Sequence, residues 1–209
     1  MSCVTGLILS ILSSMTQLTG STAVTDFDRT TALIAIGARP GEFLVDLDGG
    51  WSSLVGVHGG YMCAVVVRGS ESLAPGRVVR TMSTSFLRSG RVGPAVLSVH
   101  EVRRGRSITT MVAELVQDDQ ILIASRLTLM TARSGVEWSE RRPLDLPPPA
   151  DCVPISPPAG VMNFGRVELR FDPHRMPFEG SQRAYVGGYI RPLEARPIDA
   201  AWLAMASDC

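Results

Sequence analysis

Four stretches of the chain carry the same pattern. Positions 77–87, 93–103, 107–117 and 121–131 alternate apolar and polar side chains, and Ser89-Gly90, Arg104-Gly105 and Asp118-Asp119 lie between them. Period-two alternation bounded by such residues marks strands with one buried face, joined as an antiparallel meander. At about ten residues each, they exceed the usual strand length. Ahead of them, 61–67 (Y-M-C-A-V-V-V) is apolar throughout. Periodicity cannot separate a buried strand from a buried helix there, and the three valines favour strand on local propensity. A helix is nonetheless expected. Four long strands beside one apolar segment suggest a curved sheet around a central helix, which is apolar on every side. Further upstream, 41–48 (G-E-F-L-V-D-L-D) alternates as a strand, and 28–36 reads as a short helix capped by Asp28 and ended by Gly37.

Between 132 and 158 the pattern gives way to Pro, Arg and acidic residues, including Pro147-Pro148-Pro149 and Pro157-Pro158. Proline at this density does not enter a sheet interior, so an extended linker is expected. Beyond it the grammar restarts: strands over 161–171 and 184–191, then a helix opened by Pro197-Ile198-Asp199. The reading is a disordered extension over 1–25, a first unit over 26–132, a linker over 133–160, and the opening of a second copy over 161–209. The apolar stretch at 6–15 has no positive charge before it, unlike a secretory signal, and is too short and too rich in Ser and Thr to span a bilayer.

Composition narrows the classes. Hydrophobic content of 45% over 209 residues supports a packed core, and zero net charge removes the electrostatic case for nucleic acid or an anionic membrane as partner. Every basic residue is arginine, read as a high-GC codon bias. Cys3, Cys63, Cys152 and Cys209 form no C-x-x-C pair, and His58, His100 and His174 are scattered. Free thiols in a reducing, cytoplasmic compartment and the absence of a metal site are the expectations.

The motifs His58-Gly59-Gly60-Tyr61, Thr84-Ser85-Phe86-Leu87-Arg88, Val102-Arg103-Arg104-Gly105-Arg106-Ser107 and Ala113-Glu114-Leu115-Val116-Gln117-Asp118 occur in this order. Together they resemble the first domain of tandem hot-dog acyl-CoA thioesterases of the thioesterase II, actinobacterial type. The segment W-L-A-M-A-S-D at 202–208 resembles the start of that family's second central helix, with Asp208 at the position of its catalytic aspartate. The resemblance implies an α+β double hot-dog fold and hydrolysis of fatty acyl-CoA to free acid and coenzyme A, without cofactor. It also implies a hydroxyl residue and a glutamine on later strands. The sequence stops one residue after Asp208, so the second copy is expected to be incomplete and the chain feebly active. The rival reading is a catalytically silent acyl-CoA-binding or oligomer-forming protein, a homo-oligomer through its sheet edges.

Each candidate residue carries two readings. Asp208 is either a carboxylate that activates water or a solvated acid. His58, Gly59, Gly60 and Tyr61 either bind the thioester carbonyl through free N–H groups at a helix start or make a tight helix entry. Related single-domain thioesterases carry an acid on this helix a few turns after the glycines; here that stretch reads Val65-Val66-Val67, so the first unit is expected to lack its own catalytic carboxylate. Gln117 either binds substrate or satisfies backbone groups at a strand end. Arg103 and Arg106 either meet the phosphates of coenzyme A or sit on a solvated turn. The acyl chain is expected in an apolar tunnel between sheet and helix.

Overall fold

Alternation becomes sheet in the computed structural model, which describes residues 24–37, 40–136, 138–140, 144–156, 165–177, 180 and 185–209. Expectations about 1–23, about 157–164 and about the start of a strand at 184 lie outside the described residues. In chain order the elements are α1 (Asp26–Thr30), β1 (Ile34–Ala35), β2 (Glu42–Leu47), β3 (Ser52–Ser53), β4 (Gly56–Val57), α2 (Gly59–Ser72) and β5 (Arg77–Phe86). Then follow β6 (Gly93–Arg104), β7 (Ile108–Gln117), β8 (Gln120–Thr131), β9 (Val153–Pro154), β10 (Val167–Phe171), β11 (Gly188–Pro192) and α3 (Ala200–Ala206). One six-stranded antiparallel sheet runs β1-β2-β6-β7-β8-β5. Its inner face supplies Phe43, Val45, Leu97, Met111, Leu115, Ile123, Leu127 and Leu129 to the core. The 61–67 run is helical inside α2 and wholly buried, with the sheet on one side and α3 on the other. These side chains pack the space between α2 and the middle strands of the sheet.

Strand β5 lies at the sheet edge, and its register against β8 shifts between Val79 and Thr81. The extra residue changes the phase of the alternation. Val79 and Met82, three apart, therefore both pack against the core. Thr84 and Phe86 follow Met82 in step.

Three boundaries differ from the sequence reading. The first helix starts two residues earlier than expected and stops at Thr30, because Thr25, placed in the extension by sequence, caps it by accepting from the Asp28 N–H. The Thr30 and Thr31 hydroxyls both bond back to the Phe27 carbonyl, an alternative to continued helix. Ile34 and Ala35 then pair with Leu44 and Phe43 as a strand. Within the expected linker, Val153 and Pro154 pair with Phe171 and Arg170. Proline is tolerated there because β9 is an edge strand of the separate sheet β11-β10-β9. Finally, α3 begins at Ala200, with the Asp199 carboxylate accepting from the Trp202 N–H as its cap; Pro197 and Ile198 precede it.

At seven residues α3 is too short to persist alone. Tertiary contacts hold it. Trp202 meets the Phe27 ring edge-on at 5.2 Å, Phe27 meets Trp51 edge-on at 5.6 Å, and Trp51 stacks on Tyr61. Above these rings Arg196, only 3% exposed, donates to Asp28 and Asp199 at 2.9 Å each and lies 4.6 Å from the Phe27 centroid. Arg68, from α2, pairs with the same two carboxylates at 2.5 and 3.2 Å. Burial pushes the Asp28 carboxyl up. The Thr25 hydroxyl, Arg196 and Arg68 outweigh it and hold the group below its ordinary range.

Candidate functional site

The first turn of α2 leaves N–H groups without helical partners, and three of the four N–H groups at the start of this helix are accounted for. The Tyr61 N–H donates to Nδ1 of His58, the N-cap residue, at 3.3 Å. The His58 N–H donates to the Trp51 carbonyl at 2.8 Å. The Gly60 N–H donates to Oδ2 of Asp208 at 2.9 Å. Among the described residues neither the Gly59 N–H nor Oδ1 of Asp208 has a hydrogen-bond partner. Anionic oxygen at a helix N-terminus is favoured by the aligned peptide dipoles.

Asp208 reaches this position from the end of α3. The two glycines permit it. A methyl at Gly60 would lie 2.3 Å from the Met205 carbonyl oxygen, and one at Gly59 would lie 2.7 Å from Asp208 Oδ2. The Asp208 side chain is 48% exposed at the mouth of a cleft of about 270 Å³. Gly60, Cys63, Met82, Thr84, Phe86, Ala204 and Ser207 complete the lining. Thr84 and Ser125 hydroxyls are 2.9 Å apart on the β5 side. Burial pushes the Cys63 thiol up to about 11, so this wall is uncharged at neutral pH.

The structure thus brings His58, Gly59, Gly60 and Asp208 together. The Tyr61 ring points away, buried on Trp51, with its hydroxyl donating to the Thr30 carbonyl at 2.6 Å; burial pushes that phenol up to about 12. Gln117 is not in the cleft. Its amide oxygen accepts from the Arg91 N–H at 2.8 Å and its nitrogen donates to the Arg91 and Pro94 carbonyls. The turn with Arg103 and Arg106 lies at the other end of α2, where neighbouring Arg104 donates to the carbonyl of its C-cap, Leu73. A helix of 14 residues separates it from Asp208 by roughly 20 Å. Sequence reading missed Cys63, Met82, Thr84, Phe86, Ala204 and Ser207. Ala204 and Ser207 precede Asp208 by four and one, a helical spacing that places Ala204 on its face. The β5 residues share a strand face whose phase the irregularity at 79–81 conceals.

A sheet folded over one long helix, with these structural likenesses, defines the class: a hot-dog fold. A conserved hot-dog protein of unknown function from Alicyclobacillus acidocaldarius superposes with a TM-score of 0.80 at 25% identity, over 89% of this chain and 69% of that one. A provisional thioesterase II from Thermobifida fusca YX gives 0.64 at 26% identity, over 74% and 57%. The tesB protein of Mycobacterium avium subs. paratuberculosis gives 0.71 at 21%, over 89% and 69%, a likeness of fold. This chain therefore spans 57–69% of those proteins. Residues 47–132 match the model of the acyl-CoA thioesterase N-terminal domain. No curated protein matches the chain.

Proposed function

We propose that the protein hydrolyses acyl-CoA thioesters, with Asp208 as the group that activates water. The observation that carries this reading is the Asp208 carboxylate, held through one oxygen by the Gly60 N–H and open through the other, beside the free Gly59 N–H at the mouth of a half-apolar cleft. The thioester carbonyl accepts from the Gly59 N–H, and Oδ1 of Asp208 takes a proton from water as the water oxygen bonds to the carbonyl carbon. The tetrahedral oxyanion collapses, the C–S bond breaks, and the coenzyme A sulfur leaves as a thiol with the proton that Asp208 took from water. The acyl chain lies against Met82 and Phe86 on the β5 side of α2. The free edge of β5 is where a further strand or a second copy of the chain pairs.

The test is release of free thiol from acyl-CoA by the parent chain and by Asp208→Asn, with acyl-CoA binding measured on both. Loss of one positioned group of this kind costs on the order of a hundredfold in rate, so kcat falls at least that far while binding persists. Turnover that survives Asp208→Asn places the chemistry elsewhere. Tight binding with no turnover by the parent assigns the silent acyl-CoA-binding role instead.

A further inference from the structure

Both nitrogens of the His58 ring are engaged. Nδ1 accepts from the Tyr61 N–H at 3.3 Å, which fixes the tautomer: the ring proton sits on Nε2. Nε2 lies 3.0 Å from the Asp208 carbonyl oxygen and 3.6 Å from its Oδ2. The side chain is 6% exposed. A ring so occupied has no lone pair for water and no proton for a thioester carbonyl.

We infer that His58 is a positioning residue, which caps α2 with one nitrogen and with the other tethers the Asp208 main chain so that its carboxylate meets the Gly60 N–H. The inference rests on the reading of Asp208 as the water-activating group. Residues 58 and 208 belong to different elements, and the hydrogen bond that ends α3 at this point is long, Asp208 N–H to the Met205 carbonyl at 3.4 Å. Local helix geometry therefore fixes Asp208 weakly. The tether from the ring and the carboxylate's own bond to Gly60 hold it from the α2 side, at the main chain and at the side chain respectively. Two such attachments set the direction of Oδ1, which one alone leaves free to rotate.

Two substitutions separate capping from tethering. His58→Asn keeps a good N-cap acceptor for Tyr61 but is too short to reach the Asp208 carbonyl. His58→Gln caps poorly, yet its amide N–H extends towards that carbonyl. In His58→Asn, kcat falls on the order of a hundredfold with KM nearly unchanged. His58→Gln recovers part of the loss although it is the less stable protein. Combined with Asp208→Asn, His58→Asn costs nothing further. Amide exchange gives a readout independent of turnover: in His58→Asn the Gly60 N–H exchanges on the order of tenfold faster while Tyr61 keeps its protection. Parental exchange at Gly60 with parental kcat in His58→Asn overturns the tether. A rise in KM at constant kcat also overturns it, since that marks a residue touching substrate. If turnover survives Asp208→Asn, the functional reading falls alone, and Gly60 exchange still decides the tether.

Discussion

Gly60 has no room for a side chain on the α3 side. A β-carbon there would sit 2.3 Å from the Met205 carbonyl oxygen and 3.0 Å from the Asp208 β-carbon. The first obstacle is backbone, which cannot rotate aside as a side-chain end does. Gly60→Ala therefore forces the end of α3 off α2. The expected cost is about 1–3 kcal/mol, the usual range for overpacking, read as a fall in Tm by thermal unfolding. Thiol release falls with it while the sheet's circular dichroism is retained. Parental Tm and turnover in Gly60→Ala would show that the two helices are not in this contact. At this scale little was legible. The pair Gly59-Gly60 announced a close approach, and Asp208 stood out only through a family resemblance. Nothing in the residue types marked His58 as the link between them, because a contact across 150 positions leaves no local trace.

At the scale of elements the sequence was far more readable. Strands β5 to β8 fall within a residue or two of the alternating stretches, because each has one buried face and a polar turn at its ends. Helix α2 was legible from its neighbours rather than from its own valines. Readability failed where two signals competed, as when Thr30 and Thr31 ended α1 and Ile34 found β2, or where proline hid the edge strand β9. The attachment of α3 depends on charges that pattern does not reveal. Arg196→Met removes the buried cation between Asp28 and Asp199, leaving Arg68 as their remaining shared cation. Breaking a buried pair costs about 3–5 kcal/mol, and both carboxylates here keep roughly a third of their exposure, so a loss of about 3 kcal/mol is expected in urea unfolding. Because Asp28 titrates below its ordinary range, this stabilisation is present above that range and fades as pH falls through the lowered value. The gap between Arg196→Met and parent therefore narrows in acid. An unchanged urea midpoint at neutral pH would mean that the network contributes nothing.

For the whole molecule, the question is whether 26–132 is a self-sufficient unit. The core is continuous across the proposed linker: Val167, Leu169, Ala201, Trp202 and Met205 belong to the same apolar cluster as Phe27, Trp51 and α2. A chain ended at 132 exposes the outer face of α2 and the Phe27 edge. It is expected to bind a hydrophobic dye strongly and to unfold at lower temperature than the parent. A dye-silent fragment with parental Tm would establish 26–132 as an independent unit. The hydrogen bond between residues 60 and 208 spans 148 positions, so the site cannot exist until residue 208 has been made. On a translating ribosome the six-stranded sheet can close once Thr131 has emerged, whereas Asp208 follows on the order of seconds later. In that interval a nascent chain carries a finished sheet and an uncovered aromatic patch, and the chemistry proposed for Asp208 has to wait for α3 to dock.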